Sequence, residues 1–459
     1  MKTKTPKTSK VPRTAISLVA ITATHLALAE TPAGPPAEAL INKLVEKGIL
    51  TTKEAGDLKA ESNDNFNSAF RAKTGMPQWV TGLKFSGDFR GRFDGIYGNN
   101  DALPNRDRLR YRLRFGITAM LMDNFEIGFR LNSGEPVNGF GGNPISSNTT
   151  MADNGSKKLI GVGLAYAKWT PLDTADWNGA FTVGKMENPL AFPTAMMFGK
   201  DYAPEGLAAQ LAYKLNAHHT LKFNAAAFVL DELAASGKDP YLGAAQLRLD
   251  SAWNNKISSS IGVTALGIAN KDGLVNDGLP NVNRGNTRNA SGAPTHSFNP
   301  VHADATVTYT LDHVLGFPGK FPVSVGGEYL NNPAAPDKNQ AWSAGFCLGK
   351  SGKKGQWDLS YRWMELEADS WFEEVVDVDF AGYYQAQQAN SGFTSTSNPA
   401  GSGYTGGTNI RGHILKLDYS PTDALTFSAT WFLTELINES PAGSKSGANR
   451  IQIDGMWKF

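Results

Sequence analysis

The sequence has one cysteine, Cys347, and beyond its N-terminal end no apolar run long enough for a membrane-spanning helix. A lone cysteine forms no internal disulfide, so a secreted chain of this length must be held together by its fold alone. A helical span needs about 20 apolar residues, and the mean hydropathy of the whole chain is only −0.31. These absences exclude a disulfide scaffold and a bundle of membrane-spanning helices.

The N-terminus has the pattern of a secretory signal. Five basic residues precede an apolar stretch at residues 15–21 and a small-residue site that ends at Ala29. We predict a signal peptide over residues 1–29, because the apolar stretch is too short to span a membrane. Its removal would lower the Lys and Arg count from 44 to 39 against 43 Asp and Glu. The remaining chain is mildly acidic, which argues against nucleic acid as a partner.

Apolar and polar residues alternate strictly in two segments. Between Leu83 and Asp94 the odd positions are apolar or glycine, and the even positions are polar or charged. Residues 108–118 repeat this pattern with leucine, tyrosine and phenylalanine on one face and arginine on the other. Period-two alternation predicts strands with one apolar face. A membrane β-barrel built from such strands is polar on average although it lies in lipid.

The same alternation recurs along the chain and predicts about sixteen strands, an even number typical of bacterial single-chain barrels. Further strands are predicted at residues 125–131, 207–215, 221–229, 245–249, 301–311, 323–329, 357–363, 415–419, 425–433 and 451–459, with weaker candidates at 160–169, 180–187, 257–268 and 342–348.

The predicted connections alternate in length. Tight turns at residues 122–124, 216–219, 254–255 and 420–424 are interpreted as periplasmic. Longer polar stretches at residues 132–158, 189–204, 270–297, 331–339, 370–408 and 438–449 are interpreted as extracellular loops. The last strand ends on the aromatic Phe459, as bacterial barrels commonly do, which a soluble β-sandwich or propeller does not explain.

Several short motifs occur in an order that resembles the "putative porin" family of Gram-negative outer membranes. The motifs are LVEKGILT at residues 44–51, NRDRLRYRLRFG at 105–116, VGKMENP at 183–189, APEG at 203–206, GEYLNN at 327–332 and GQWDLSYRW at 355–363, followed by the acidic run at 365–379. Met186 stands where relatives often have a polar residue, which puts in doubt any solute preference tied to that strand.

The resemblance implies an all-β, antiparallel transmembrane barrel in the outer membrane over residues 81–459, preceded by a periplasmic helical leader and linker at 30–80. It implies a porin through which small polar solutes diffuse, in contact with lipid and lipopolysaccharide, and a homotrimer is common for sixteen-stranded porins. The arginine-rich strands add anionic solutes to this expectation. It brings no cofactor, no metal site and no settled site residues.

An arginine ladder is the most distinctive feature of the sequence. Arg108, Arg110, Arg112 and Arg114 lie on one face of one strand, and Arg90 and Arg92 are predicted to face the lumen from the neighbouring strand. Facing lipid, each arginine would cost about 2–4 kcal/mol near the bilayer midplane. The ladder is interpreted either as an electropositive path for anions or as wall structure paired with acids.

Candidate acids lie at the start of the longest predicted loop. One interpretation is that this run folds into the lumen opposite the arginines and narrows the pore. The other is an extracellular acidic loop that binds divalent cations near lipopolysaccharide. The residues are Glu365, Glu367, Asp369, Glu373, Glu374, Asp377 and Asp379, interleaved with Trp371, Phe372, Val375 and Val376.

The leader at residues 35–61 predicts two short helices, the second opened by a capping box formed by Thr51 and Glu54. No enzyme is predicted, since the histidines are dispersed without metal-ligand spacing and no lipid-facing Ser and His pair stands out. The alternative to a channel is a non-conducting barrel that serves as an adhesin or a structural protein.

Overall fold

A computed structural model describes residues 41–59 except 42, 48 and 52, and residues 75–459 except 76, 102–104, 136–141, 275–284, 290, 385–402, 440–442 and 444. The chain divides into two units, Met1–Pro77 and Gln78–Phe459. The predicted signal peptide at residues 1–29 lies outside the described residues. No helix in the described part is long and apolar enough to cross a membrane.

Sixteen long antiparallel strands form a closed barrel, because β1 pairs with both β2 and β16. The first eight are β1 Val80–Gly98, β2 Arg106–Leu121, β3 Phe125–Gly134, β4 Leu159–Asp173, β5 Trp177–Lys185, β6 Glu205–Lys214, β7 His219–Val229 and β8 Tyr241–Ala252. The others are β9 Ile257–Ala269, β10 Val301–Leu311, β11 Phe321–Asn331, β12 Gln340–Gly349, β13 Trp357–Leu366, β14 Ile410–Tyr419, β15 Leu425–Leu436 and β16 Ala448–Lys458.

The alternation in sequence places side chains on opposite faces of the barrel wall. Leu113 and Phe115 are each 39% exposed on the outer face, whereas Arg110 and Arg112 of the same strand are each 6% exposed on the inner face. Apolar side chains outside and polar ones inside are the arrangement of a barrel in lipid. The predicted fold class is confirmed, and the four weaker strand candidates correspond to β4, β5, β9 and β12.

The connections separate the barrel into two ends. Short turns such as Met122–Asn124 join strands at one end, which we call the short-turn end. Asp123 and Asn124 have φ angles of 59° and 60° there, a backbone conformation that Asp and Asn tolerate better than other residues with a side chain. The opposite, long-loop end carries two small additions, the strand Thr149–Thr150 on β2 and the hairpin of Ala381–Tyr384 with Gly403–Gly406.

Two long loops enter the lumen: the β5–β6 loop, for which only an extracellular position was predicted, and the β13–β14 loop, for which lumen entry was one of the two interpretations. The β5–β6 loop, residues 186–204, contacts β8 through Ala191 and Gln246 and contacts β2 through Asp201 and Arg112. Since β2 and β8 are six strands apart in the ring, this loop crosses the interior. The first part of the β13–β14 loop, residues 367–380, enters as well, and its Ser370 and Trp371 are almost fully buried.

The described leader residues include helical turns at 43–46 and 53–59. The capping box is formed as predicted: Glu54 Oε2 accepts from the Thr51 backbone N–H at 2.9 Å, and the Glu54 N–H donates to Thr51 Oγ1 at 3.2 Å. These two bonds satisfy backbone donors that the first turn of a helix leaves free.

Candidate pore constriction

The pairing of β1, β2 and β16 brings seven arginines onto one stretch of the inner face, which we call the arginine wall. Arg90 lies opposite Arg112, and Arg92 lies opposite Arg110, in the register of β1 and β2. Cross-strand partners project from the same face of a sheet, so their guanidinium groups are neighbours. The wall consists of Arg90, Arg92, Arg108, Arg110, Arg112 and Arg114, all predicted as candidates, and of Arg450 on β16, which the sequence analysis missed.

Aspartates of β1 and β16 pair with much of this charge. Asp454 binds Arg92 with two parallel bonds of 2.7 and 2.8 Å. Asp94 binds Arg450 in the same way, at 2.7 and 3.0 Å, and also accepts a hydrogen bond from Arg108. Bidentate arginine–carboxylate pairs hold both partners in one geometry. Part of the wall is therefore fixed structure.

A third aspartate of the wall, Asp88, bridges two successive arginines of β2. Asp88 Oδ1 accepts from Arg112 at 2.8 Å, and Asp88 Oδ2 accepts from Arg114 at 2.6 Å. Asp88 lies directly opposite Arg114 in the register of β1 and β2.

Each of the two inward loops adds one aspartate to the wall. Asp201 of the β5–β6 loop lies 3.1 Å from Arg112 NH1 and 3.5 Å from Arg114 NH1. Asp379 of the β13–β14 loop lies 2.9 Å from nitrogens of both Arg92 and Arg450. Burial by itself raises the pKa of Asp379, but Arg450 and Arg92 outweigh it and hold that pKa well below its usual range. Both carboxyl groups therefore stay charged.

The other predicted acids do not reach the arginine wall. Glu365 lies opposite Arg411 at the end of β13, and Glu367 accepts from the Gln340 backbone N–H. Asp369 accepts from Thr287, while Glu373 and Glu374 lie near Arg288. Asp377 faces the same cavity as Asp379. The structure thus brings one of the seven predicted acids, Asp379, into contact with the arginines.

Apolar side chains of both loops form an inner core inside the barrel. Trp371 is 1% exposed, and its indole N–H donates to the Met197 carbonyl at 2.8 Å, which ties the two loops together. The loops contribute Leu190, Met196, Met197, Phe198, Trp371, Phe372, Val375, Val376 and Phe380, and the strands contribute inward residues that include Phe228, Leu242, Leu266, Ile268, Leu330, Leu366, Ile410, Phe432 and Leu436.

Polar contacts fix the far end of the β5–β6 loop to the wall opposite the arginines. Both Gln246 and Arg248 donate to the Ala191 carbonyl at 2.9 Å, and Thr194 hydrogen-bonds Glu328. Such buried polar partners position a loop more tightly than apolar contacts alone. The loop is therefore held at both ends of its path across the lumen.

A cavity of about 890 Å³ lies between the arginine wall and the two loops and extends toward the short-turn end. Its lining contains eight basic side chains, Arg90, Arg92, Arg112, Arg114, Lys200, Arg362, Lys416 and Lys458, and five acidic ones, Asp88, Asp201, Asp377, Asp379 and Asp454. Within the part of the chain that the structure describes, no carboxylate lies within 4.0 Å of the cationic nitrogens of Lys200, Arg362 or Lys458.

Comparisons with solved structures give three similar barrels at low identity. OprB of Pseudomonas putida is 12% identical, with 82% of this chain and 94% of that chain covered and a TM-score of 0.49. The channel DcaP of Acinetobacter baumannii is 11% identical over 82% and 97%, with a TM-score of 0.41. A variant of the Rhodopseudomonas blastica porin is 9% identical over 82% and 100%, with a TM-score of 0.40. These values are too low for any of the three to bear on function.

The comparison with family models gives a direct match, whereas no curated protein matches the chain. The matching family is described as "Putative porin", and the match runs over residues 96–296, from the end of β1 to the β9–β10 loop. Together with the closed barrel, this match supports an outer-membrane channel and not an enzyme. The resemblance to the "Putative porin" family that the sequence motifs indicate is thus confirmed, on the segment from residue 96 to residue 296.

Proposed function

We propose that this protein is an outer-membrane porin through which small hydrophilic solutes diffuse passively, with a preference for anions. The observation that carries the proposal is the charge of the cavity lining, with eight basic and five acidic side chains. A lumen lined by one sign of charge raises the local concentration of the opposite ions. Anions should therefore enter this cavity more readily than cations.

Around the cavity, the arginines with close carboxylate partners act as structure, and cations without such partners supply the field for anions. Arg92, Arg112 and Arg450 have close carboxylate partners and act as wall structure. Lys200 and Arg362 line the cavity without such partners and leave a field for a passing anion. Successive arginines on one strand face are about 6.8 Å apart, within the roughly 8 Å Debye length at physiological salt. The electrostatic potentials of neighbouring arginines therefore overlap, which favours movement of an anion from one arginine to the next.

The path for solutes follows the arginine wall. The inner core fills the opposite part of the lumen with apolar side chains, among them Trp371, Phe372 and Phe298, each at most 2% exposed. A polar solute would have to give up its hydration to enter such a core. The route is therefore narrow and eccentric, and it admits small solutes only.

Reconstitution in a planar bilayer with a KCl gradient tests this proposal. We expect discrete conductance steps and a reversal potential on the anion-selective side, largest at low salt, where screening is weakest. The Arg110→Gln/Arg112→Gln variant should move the reversal potential toward cations, because Asp88 and Asp201 then lose a partner. The matched control Arg411→Gln/Lys353→Gln removes two exposed charges outside the cavity and should change little.

Two results would contradict the proposal in different ways. A folded barrel that never conducts would favour the adhesin or structural role. A conducting barrel with cation preference in the wild-type protein would retain the porin and remove the anion preference.

We further propose that the short-turn end faces the periplasm, because long loops of such barrels lie outside the cell. In a Cys347→Ser background, Ser236→Cys on the β7–β8 loop should react with a membrane-impermeant maleimide on intact cells. Asn255→Cys in the β8–β9 turn should react only after lysis. Both positions are exposed, so the reverse labelling pattern would invert the orientation.

The division into a signal peptide at 1–29, a periplasmic leader and linker at 30–80 and a barrel at 81–459 remains a proposal. Deleting residues 35–61 while retaining the signal should leave a barrel that still inserts, because all sixteen strands lie beyond Pro77. Heat-modifiable migration in gels reports the folded barrel, and its complete loss would make the leader part of the folding unit. Native mass spectrometry of the detergent-solubilised protein tests the proposed homotrimer.

A further inference from the structure

Two arginines of the wall differ from their neighbours in how they are paired. Arg92 has carboxylate oxygens at 2.7, 2.8 and 2.9 Å. For Arg90 the nearest carboxylate oxygen among the described residues, on Asp454, is 3.9 Å away, beyond hydrogen-bond distance. For Arg110 the corresponding distances are 3.6 Å to Glu135 and 3.8 Å to Asp94. Both guanidinium groups are thus close to acids without being hydrogen-bonded to them.

Their hydrogen bonds go to a neutral residue instead. Arg90 NH2 donates to the side-chain oxygen of Asn148 at 2.5 Å, and Arg110 NH2 reaches the Asn148 carbonyl at 3.5 Å. Both Nε atoms are buried without a hydrogen-bond partner among the described residues, as is that of Arg108, whose guanidinium donates to Asp94 instead. Buried donors are nearly always paired, so unpaired ones indicate a missing acceptor.

The β3–β4 loop positions Asn148 between the two arginines. Thr149 and Thr150 pair with Tyr111 and Arg110 as a short strand on β2, which places the preceding Asn148 beside the wall. Glu135 is turned toward this strand, because it accepts from the Thr150 backbone N–H at 2.8 Å and from the Thr150 hydroxyl. Its Oε1 is therefore engaged, and its Oε2 lies 3.6 Å from Arg110, beyond hydrogen-bond distance.

A count of the charges on the arginine wall also singles out Arg90 and Arg110. Seven wall arginines share six carboxylates, those of Asp88, Asp94, Asp201, Asp379, Asp454 and Glu135. A buried positive charge without a counter-charge is costly. The one excess positive charge lies with Arg90 and Arg110, since each of the other five arginines has a carboxylate oxygen at 3.1 Å or less.

We propose that Arg90 and Arg110, bridged by Asn148, bind one small oxyanion, a carboxylate or a phosphate, where the arginine wall meets the cavity. Guanidinium groups bind oxyanions through pairs of N–H donors in a fixed fork, which a spherical ion does not match. Arg90 and Asn148 both line the cavity, so the site is reached from it. This inference rests on the proposed anion path and identifies the position on that path where an anion binds most tightly.

Isothermal titration calorimetry of the folded, detergent-solubilised full chain tests the site directly, with potassium phosphate, potassium acetate and potassium chloride as probes. We expect phosphate and acetate to bind at one site per barrel, and chloride to compete weakly. Asn148→Asp retains the shape of Asn148 but places a carboxylate between the arginines. It should lower the affinity for phosphate about tenfold or more.

The matched control is Asn132→Asp. Asn132 also accepts a hydrogen bond from an inward arginine, Arg130 Nε at 3.0 Å, but Arg130 already pairs with Glu187. This control adds the same charge and should leave phosphate affinity within about threefold of wild type. Heat-modifiable migration verifies folding, and Arg90→Gln, which should also lose the site, serves if Asn148→Asp does not fold.

The results separate this site from the proposed function. Binding that Asn148→Asp or Arg90→Gln abolishes, in a barrel that does not conduct, would support the site and overturn the channel. Anion-selective conductance with phosphate binding unaffected by both variants would retain the channel and overturn the site. Equal binding of chloride, acetate and phosphate would also overturn it, because a general electropositive surface would then suffice.

Discussion

The inside of this barrel has two unlike halves. On the arginine wall of β1, β2 and β16, most buried side chains are charged, and fixed pairs such as Arg92 with Asp454 determine the geometry. In the inner core, the buried side chains are apolar, and Trp371 packs against Phe198 and Phe298 with ring centroids 5.9 and 6.3 Å apart. The lumen of one barrel thus contains a charged cavity on one side and an apolar core on the other.

The difference shows how burial arises in each half. Charged groups on the wall are buried because two loops close over them, and each loop contributes a carboxylate, Asp201 or Asp379. Apolar groups of the core are buried because they exclude water, at about 25 cal/mol per Å² of apolar surface. The core therefore holds the loops in place, and the wall supplies charged groups that line the cavity beside them.

The largest expected effect comes from removing the centre of the inner core. Trp371→Ala should lower the free energy of unfolding by about 3–5 kcal/mol, because it leaves a cavity and removes the bond to Met197. The loops should loosen, so single-channel conductance should rise and become noisy. Urea unfolding in micelles and bilayer recordings measure the two effects.

The control for that variant is Trp342→Ala, an outward tryptophan that is 41% exposed. It should leave the conductance unchanged, since it does not contact the loops. A conductance for Trp371→Ala equal to that of the wild-type protein would show that the core does not restrict the path.

The second effect concerns the buried ion pair that joins the β9–β10 loop to the β13–β14 loop. Arg288 donates to Glu373 Oε1 at 3.0 and 2.5 Å, and the two side chains are 1% and 0% exposed. Glu373→Gln should cost up to about 3–5 kcal/mol of unfolding free energy, because among the described residues the buried Arg288 then retains only the more distant carboxylate of Glu374, at 3.6 Å.

The exposed pair of Arg411 and Glu435, with side chains 41% and 50% exposed, provides the comparison. Glu435→Gln should cost about 0–1 kcal/mol, as surface pairs do. Equal costs for the two variants, measured by urea unfolding, would mean that the inner loops are not structurally coupled to barrel stability.

The wall could largely be predicted from the sequence, and the inner core could not. Period-two alternation determines which face of a strand is polar, so the inward direction of Arg108, Arg110 and Arg112 followed from the apolar residues between them. The contribution of Arg450 was missed, because the last strand was predicted to begin at residue 451, whereas β16 begins at Ala448.

A signal of the inner core was present, but it is weaker than alternation. Inward positions near the long-loop ends of several strands are apolar, for example Leu242, Leu266 and Leu330, and all three are buried. A water-filled lumen does not require apolar residues there, so such positions indicate a covering segment. Which segment covers them depends on long-range packing, and for that reason the entry of the β5–β6 loop was not predicted.

The third effect is on selectivity. Asp379→Asn removes the carboxylate that neutralises part of Arg92 and Arg450, while each arginine retains its bidentate partner, Asp454 or Asp94. The barrel should fold, and the anion-to-cation permeability ratio should rise severalfold at low salt. Reversal potentials in a KCl gradient measure it.

The control is Asp312→Asn, which removes an exposed carboxylate paired with Lys256 near the short-turn end. It should leave the permeability ratio unchanged. An equal shift for both variants would mean that overall charge, and not the wall, determines selectivity.

The smallest effect is a pH dependence that should arise from Asp377. Burial and the adjacent charge of Asp379 raise the pKa of Asp377, with Lys200 and Arg450 opposing them, whereas the pKa values of Asp201 and Asp379 are lowered. As the pH falls from about 7 toward the usual carboxyl range near 4, Asp377 should take up a proton before those two. The cavity then loses one negative charge, so anion preference should increase on acidification.

Asp377→Asn should have the higher anion preference already at neutral pH and a flatter pH profile, while Asp312→Asn should follow the wild-type profile. Reversal potentials recorded over this pH range decide the matter: a pH dependence that persists in Asp377→Asn would assign the titration to another group in the pore.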